Sequence, residues 1–325
     1  MKRAAYSLLV AASLAGSSAF AADMAVKAPP AVAAPPAWDV VVTAALMNDY
    51  NFRGITQSNH RPSTQGGFEL RYNFNPNLQG YFGLSGESID FPNQAAAEVD
   101  VYGGIRPTFG KLALDFGGWE YYYPAGKCYN PVPSACGGNP YGGAFVPGTA
   151  LTALGGNIAK YDASFFEFYA KGTYTVNDNL SLGLQEWYSP SVSNTGADGW
   201  YTTGNATVTL PSAWFRNGLG GYVSGDLGYW ALGTSDAFYG FTKYSSYANW
   251  DAGFGWTWKV LTLDLRYYDS DLSKSECDAF TSSQSVSFSP SYVTAQNPNG
   301  LGTNWCGAAF IAKLSASIDF NANLK

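Results

Sequence analysis

From Trp38 onward, apolar and polar residues alternate along the chain in segment after segment. A period of two residues is typical of β-strands with one apolar and one polar face. Most of the predicted segments are much longer than the strands of soluble domains, which usually have about five or six residues. The pattern predicts twelve strands: 38–52, 64–75, 78–90, 97–108, 111–123, 161–176, 179–190, 199–210, 219–232, 244–258, 261–270 and 308–320. Long strands in an even number indicate one closed, all-β, antiparallel barrel.

The connections between these strands alternate in length. The short ones are Asn75-Pro76-Asn77, Phe109-Gly110-Lys111, Asn177-Asp178-Asn179, 211–218 and Lys259-Val260. The intervening loops are mostly longer, and 124–160 and 271–307 are very long. If the N-terminus lies inside, every short turn falls on one side, as in outer-membrane barrels with short periplasmic turns and long extracellular loops. We therefore expect a transmembrane β-barrel of the cell outer membrane, with both termini periplasmic, in contact with outer-membrane lipid and lipopolysaccharide.

The apolar face of the predicted strands suits contact with lipid. Strand 38–52 presents Val40, Val42 and Leu46, and strand 244–258 presents Phe254 and Trp256. Aromatic residues collect at the strand ends, as in the two interfacial girdles of membrane barrels. A soluble β-sandwich would also alternate, and alternation alone does not say which face is wet. Loop asymmetry, strand length and the aromatic ends favour the membrane barrel.

The opposite face carries nearly all of the charge in the strands. A charge that faces lipid costs about 2–4 kcal/mol for Arg or Lys near the midplane, so this face is expected to line the interior. The predicted inward residues are eleven acids, Asp49, Glu69, Glu87, Glu98, Asp100, Asp115, Glu167, Asp226, Asp251, Asp264 and Asp319, and six bases, Arg53, Arg71, Arg106, Lys171, Arg266 and Lys313. The residues expected to line a pore are Asp49, Arg53, Glu69, Arg71, Asp100, Arg106, Glu167, Lys171, Asp251, Asp264 and Arg266. Glu120 and Glu186 break the alternation near strand ends, which predicts bulges or an interfacial position.

The excess of inward acids predicts a mild preference for cations, provided that the lumen is open. Twelve strands leave a narrow interior, between the filled eight-stranded barrels and the aqueous channels of sixteen or more strands. Loop 124–160 could fold inward and narrow it further. The alternative is a lumen closed by its own salt bridges, in a protein with a structural or surface-interaction role.

The first residues have the order of parts of a secretory signal peptide. Met1-Lys2-Arg3 is a basic start, an apolar run follows, and Ala19-Phe20-Ala21 is an A-x-A cleavage site. This predicts a signal peptide at 1–21, a Pro/Ala-rich periplasmic linker at 22–37, a barrel at 38–320 and a tail at 321–325. Such an exported barrel is expected in a Gram-negative bacterium.

The composition agrees with this class. Only 13% of the residues are charged, against about 25% in soluble domains, and 16% are aromatic, which excludes disorder. The pI of about 4.8 and the lack of a basic cluster in the sequence argue against nucleic-acid binding.

Four cysteines fit an oxidising compartment. Cys128 and Cys136 lie in one long loop, Cys277 and Cys306 in the other, which favours one disulfide within each pair; the two other connectivities stay open. No CxxC motif occurs and His60 is the only histidine, so neither a metal nor a cofactor is expected.

The same scarcity of histidine argues against an enzyme. A Ser-His or Asp-His site would have to be built around His60, which lies in a predicted exterior loop and is expected to be solvated. Glu98 and Asp100 share a strand face and invite a glycosidase hypothesis. Acids spread round the barrel wall and interleaved with arginine fit lumen electrostatics better, so no catalytic residue is assigned.

The segment 49–58, Asp-Tyr-Asn-Phe-Arg-Gly-Ile-Thr-Gln-Ser, followed by Pro62 and Gln65-Gly66-Gly67-Phe68, resembles the N-terminal signature of the proteobacterial TorF-type porin family. The resemblance continues through Tyr102-Gly103-Gly104 and 115–119 and returns more weakly in later strands. It implies an outer-membrane barrel and a pore, with no catalytic residues assigned. At the C-terminus, Ile318-Asp319-Phe320 is similar to the assembly signal of bacterial barrels, although five residues follow it.

Taken together, the sequence predicts an outer-membrane porin for passive diffusion of small hydrophilic solutes or ions, weakly cation-preferring. The non-conducting barrel is the alternative. The oligomeric state and the solute are not specified by the sequence.

Overall fold

The computed structural model describes residues 36–128, 158–283, 286–288, 292–294, 296–297 and 300–323. The predicted signal peptide, most of the linker and most of loop 124–160 lie outside these residues. The elements are β1 (Trp38–Met47), β2 (Asn51–Phe52), β3 (Ile55–Thr56), β4 (Ser63–Asn75), β5 (Leu78–Glu87), β6 (Glu98–Phe109), β7 (Leu112–Tyr122), β8 (Phe165–Thr175), β9 (Leu180–Ser189), β10 (Gly199–Thr209), β11 (Leu219–Leu232), β12 (Tyr247–Trp258), β13 (Leu261–Ser270), α1 (Lys274–Thr281), β14 (Val286–Phe288), β15 (Leu301–Thr303), β16 (Ala309–Asp319) and α2 (Phe320–Asn323). Among the described residues, no helix is long and apolar enough to cross a membrane.

Twelve of the strands form one closed antiparallel barrel, which confirms the predicted fold. Each strand from β4 to β13 pairs with its neighbour, and β16 closes the ring between β13 and β1. At this seam, Val41 pairs with Asp319. Closure leaves the twelve-stranded sheet of the barrel without an unpaired edge strand.

The predicted strands coincide with these twelve to within a few residues, and 219–232 and 261–270 match without change. The first prediction, 38–52, is wrong at its end. Strand β1 stops at Met47, and the chain then turns into the separate two-stranded hairpin β2–β3.

The connections sort by length between the two ends of the barrel. The turns at 76–77, 110–111, 176–179, 210–218 and 259–260 share one end, and the longer loops share the other. Trp38 pairs with Tyr72 and β16 ends at Asp319, so both ends of the barrel chain lie at the short-turn end. Helix α2 fastens this corner, since the Asn321 amide donates to the Trp38 carbonyl at 2.8 Å and to Asp39 Oδ1 at 2.8 Å.

The outer surface of the barrel is apolar and exposed. Large side chains face outward from nearly every strand, among them Leu70, Phe116, Phe168, Leu184 and Leu227. Glu120 pairs with Val101 in regular register, and Glu186 pairs with Thr202 and accepts its hydroxyl at 2.6 Å. Neither acid sits at a bulge. Both belong to the outward-facing side near the long-loop ends of their strands.

Candidate functional site: the barrel interior

The predicted pore-lining residues all lie inside the barrel or at its long-loop mouth. Most are buried: Asp49, Glu69, Arg71, Asp100, Arg106, Glu167, Lys171 and Arg266. The Arg53 side chain is 5% exposed, while Asp251 and Asp264 are 16% and 14% exposed. The interior therefore has a tightly packed side and a side that water reaches.

An ion-pair network fills the packed side near β4 to β7. Glu69 accepts from Arg71 Nε at 2.5 Å and from both terminal nitrogens of Arg106 at 2.7 and 2.9 Å. Arg106 Nε also donates to Asp115 at 3.1 Å, and its guanidinium lies 3.5 Å from the centre of the Tyr81 ring. Each buried charge thus has a partner of opposite sign, which offsets the cost of removing it from water.

Aromatic rings fill the level next to this network. Tyr102 and Trp119 stack with ring centres 4.0 Å apart, and Tyr169 and Trp187 meet at 4.6 Å. The Lys171 ammonium lies over the Tyr169 and Trp187 rings at 4.2 and 4.4 Å. These contacts leave little open cross-section on this side of the lumen.

Glycines decide how the inward tyrosines lie. A Cβ at Gly83 would collide with the Tyr102 ring, and one at Gly255 would collide with the Tyr222 ring. Both rings therefore lie over bare backbone on the neighbouring strand, in the manner of aromatic cover over strand glycines. A side chain larger than glycine at either position would displace the tyrosine ring.

The hairpin β2–β3 reaches across the lumen. Arg53, at its tip, donates to both carboxylate oxygens of Glu167 at 2.8 and 2.7 Å. Its guanidinium lies 4.2 Å from the Tyr201 ring centre and 4.4 Å from that of Trp230. Tyr247, on β12, donates to the Arg53 carbonyl at 2.8 Å. The residues that carry the family resemblance thus form an inward plug, the hairpin β2–β3, and not the end of the predicted strand 38–52.

The tip has room for glycine only. Gly54 has φ +81°, and a Cβ there would stand 2.9 Å from the Ser270 Cβ. Asn51 Oδ1 accepts the Gly54 amide at 2.9 Å and closes the turn. The Asn-Phe-Arg-Gly sequence is the one local signal from which this turn could have been recognised.

The opposite wall is acidic and more open. Asp226 and Asp251 are register partners on β11 and β12. Arg266 bridges Asp251 and Asp264, at 3.1 Å from its Nε to Asp264 Oδ1, and donates to Ser224 at 2.6 Å. Asp226 makes no salt bridge within the described part of the chain. Lys313 on β16 is the register partner of Asp264, so three carboxylates stand against two bases and this wall keeps a small negative excess.

His60 is held at the mouth by two contacts. Its Nδ1 lies 2.8 Å from Asp49 Oδ2 and its Nε2 lies 2.8 Å from the Asn304 carbonyl oxygen. The ring is 41% exposed, so the expected solvated residue is in fact anchored. Both nitrogens face acceptors, which suits the imidazolium, the form with two N–H donors. Neither nitrogen faces a hydroxyl nucleophile, so this geometry gives no Ser-His pair.

We expect the pKa of His60 to be raised, because its side chain is hydrogen-bonded to Asp49. A raised pKa means that the contact stabilises the fold fully below the ordinary value of about 6.5 and is lost as the pH rises through the folded-state pKa. Since the chain has one histidine, its NMR titration gives one unambiguous curve. Asp49→Asn should return the pKa towards its ordinary value; a wild-type pKa at or below about 6.5 would contradict the contact.

The loop that is closed by a disulfide between Cys277 and Cys306 contacts the hairpin β2–β3. Cys277 and Cys306 form a disulfide, as predicted. Cys306 forms a β-bridge with Ile55, and the Trp305 carbonyl accepts the Thr56 amide at 2.8 Å. Cys128 is disulfide-bonded as well, while its predicted partner Cys136 lies outside the described residues. The Cys277–Cys306 loop therefore holds the base of the hairpin.

Glu98 and Asp100, the pair considered for a glycosidase, are joined by Glu87. One carboxylate oxygen of each lies within 4.8 Å of the others. All three residues are buried. A sugar does not reach them in this arrangement, whereas a small cation would fit between them.

A family described as bacterial protein of unknown function (Gcw_chp) matches residues 31–187, slightly less than half of the chain. No curated protein matches.

Among solved structures, an outer membrane channel from Pseudomonas putida F1 is similar, with 9% identity over 90% of this chain and 100% of that chain and a TM-score of 0.44. The NanC porin has 8% identity over 85% and 98% of the two chains, with a TM-score of 0.42. OmpT, an outer membrane protein of Vibrio cholerae, has 11% identity over 87% and 98%, with a TM-score of 0.32. Likeness at this level does not define a function.

Proposed function

We propose that the protein is an outer-membrane porin through which small hydrophilic solutes or ions diffuse passively, with a weak preference for cations. The observation that carries this proposal is the partly exposed acidic wall of Asp226, Asp251 and Asp264 beside an otherwise packed interior. The resemblance to TorF-type porins is in keeping with it. No residue acts chemically in this function.

The outer surface supports a membrane location. Monomeric soluble proteins rarely expose contiguous apolar patches larger than a few hundred Å². Here, exposed Leu, Phe, Val and Trp side chains face outward from strands all round the barrel. Contact with outer-membrane lipid and lipopolysaccharide covers such a surface, and the short-turn end with both termini then faces the periplasm.

The interior supports a narrow, eccentric path. The ion pairs and stacked rings near β4 to β8 occupy one side, so we place the route along β11 to β13, where Asp251 and Asp264 are partly exposed. The Tyr222 ring lies over Gly255 on this wall and keeps the route narrow. Carboxylates along a low-dielectric wall attract cations and repel anions. A low conductance with cation selectivity follows from this arrangement.

The test is a reversal potential in a planar bilayer under a salt gradient. Asp226→Asn should reduce the preference for potassium over chloride, and Asp226→Lys should reduce it further, because Asp226 has a neighbouring acid and no ion pair of its own in the described residues. Asp178→Asn, the same change in an exposed short turn, is the control. Unchanged selectivity in both Asp226 variants would refute the acidic path.

The second candidate is the non-conducting barrel with a structural or surface-interaction role. The Arg53–Glu167 pair and the bridge between Ile55 and Cys306 favour it, because they hold the hairpin β2–β3 across the long-loop end of the lumen. This alternative would be established if correctly inserted protein shows no conductance in the bilayer, both with the hairpin β2–β3 anchored and with its Arg53–Glu167 contact removed.

A further inference from the structure

Three acids converge where the β5–β6 hairpin meets the long-loop mouth. Glu87 ends β5, Glu98 begins β6, and the two are register partners; Asp100 is opposite Ser85. Their exposed fractions are 3%, 1% and 3%. The hairpin thus brings three carboxyl groups together in a space closed to solvent.

The hydrogen bonds around this cluster come from neutral groups. Glu98 accepts from the hydroxyls of Tyr50 at 2.6 Å and Tyr123 at 2.9 Å. Glu87 Oε1 accepts from the Gln65 amide at 2.8 Å, and Asp100 Oδ2 accepts from Ser85 at 3.0 Å.

Two carboxylate oxygens of the cluster accept no hydrogen bond from the described residues. Glu87 Oε2 and Asp100 Oδ1 are buried and have no hydrogen-bond partner among the described residues. An unpaired buried acceptor loses its hydration without replacement, and a buried charge needs a counter-charge. Elsewhere in the same lumen, Glu69 and Glu167 are each paired with arginine. Within the described chain, no salt bridge reaches Glu87, Glu98 or Asp100. One base is nearby: Lys313 donates to Gln65 Oε1 at 3.0 Å, and the Gln65 amide donates to Glu87, so a single ammonium without a direct ion pair stands near three carboxylates.

We propose that Glu87, Glu98 and Asp100 form a binding site for a divalent cation of the calcium class. Ca²⁺ binds oxygen ligands at about 2.3–2.6 Å, so two oxygens on opposite sides of the ion stand about 5 Å apart. One carboxylate oxygen of each residue lies within 4.8 Å of the others, so a single ion can contact all three residues. A cation at this position would add the positive charge that one indirectly placed lysine does not supply to three carboxylates, and would occupy the two unpaired oxygens.

The chemistry of the cluster selects among metals. Zinc prefers nitrogen and sulfur ligands, and the one histidine of the chain is bound to Asp49 instead. Mg²⁺ requires near-ideal octahedral geometry and usually keeps several waters, which a closed cluster does not accommodate well. Ca²⁺ accepts carboxylates in flexible geometry, so it is the preferred ion.

The site would connect the β5–β6 hairpin with two other segments at the long-loop end of the barrel. Tyr50 precedes the hairpin β2–β3, Tyr123 begins the long loop after β7, and both phenols bind Glu98. An ion held by the three carboxylates would fix Glu98 and, through it, the two tyrosines. Binding should therefore raise the thermal stability of the folded barrel. This inference does not depend on whether the lumen conducts.

The experiment uses the refolded barrel in detergent after treatment with a chelator. Terbium, a luminescent substitute for Ca²⁺, is titrated with excitation of the tyrosines, and Ca²⁺ or Mg²⁺ is added as a competitor. We expect one saturable site, displacement by Ca²⁺ at lower concentration than by Mg²⁺, and a higher melting temperature with Ca²⁺. In Glu87→Gln/Asp100→Asn the affinity should fall by about a hundredfold or more, since losing even an outer partner of a metal ligand costs about 10–100-fold.

Two comparisons separate loss of the site from loss of the fold. The double variant replaces carboxylates by amides of the same shape, so without Ca²⁺ its melting temperature should equal or exceed that of the wild type. Asp236→Asn, an acid paired with Lys160 in the connection between β11 and β12, should bind terbium like the wild type. Absence of saturable binding, equal affinity in the double variant, or stability that responds to pH and not to Ca²⁺, as for a shared proton, would each overturn the proposal.

Discussion

Arg53→Ala combined with Glu167→Gln should raise the single-channel conductance several-fold. Arg53 holds the hairpin in the lumen through two hydrogen bonds to Glu167 and through the rings of Tyr201 and Trp230. A desolvated cation–π contact contributes about 2 kcal/mol, and breaking a buried ion pair costs about 3–5 kcal/mol. Removing both partners avoids a stranded charge and leaves the hairpin without its anchor. Planar-bilayer recordings measure the effect.

Arg61→Ala is the matched control, because Arg61 lies in the same segment after β1 but its side chain is 70% exposed. Its conductance should equal that of the wild type. If the double variant inserts correctly and its conductance does not exceed that of the wild type, the hairpin does not obstruct the path. The constriction then lies at the ion pairs and stacked rings near β4 to β8.

Arg106→Met should lower the free energy of unfolding by about 3–5 kcal/mol, the usual effect of removing one member of a buried ion pair. Arg106 is bonded to Glu69 and Asp115 at once, so both carboxylates lose a partner. Denaturant titration of the barrel refolded into lipid vesicles measures the loss. Adding Glu69→Gln should recover part of it, since one of the stranded charges disappears.

Arg216→Ala, at an exposed position between β10 and β11, should change the stability little. A loss in Arg106→Met no larger than in this control would mean that water or another group solvates Glu69 and Asp115, and that the packed side of the lumen is looser than the ion pairs indicate.

The strands were predictable from sequence because one face of each strand is apolar and points outward while the other is polar and points inward. This gives apolar and polar residues in alternation along the chain. Outward Leu70 and inward Glu69 or Arg71 on β4 show the contrast. The hairpin was not predictable in the same way. Asn51 and Phe52 continue the alternation of β1, and the partner that turns them inward, Glu167, lies far along the chain on β8.

The surroundings of the acid cluster and of His60 could not be predicted from sequence for a related reason. Glu98 and Asp100 share a face by local spacing, whereas Glu87 joins them only through the β5–β6 register. His60 reads locally as a loop residue, and its second acceptor, the Asn304 carbonyl, arrives from a loop that follows ten further barrel strands. Local pattern reports which face a residue occupies; it does not report which distant groups meet there.

The seam between β1 and β16 sets an order of events for assembly. Strand β1 pairs with β4 on one side and with β16, the last strand of the barrel, on the other. Asn321 binds Trp38 and Asp39 at the same corner. Contacts between the two ends of a chain carry the largest loop-closure cost and form slowly. The last strand must therefore have been synthesised before the ring can close, and until then the two unpaired strand edges remain free to pair with other chains.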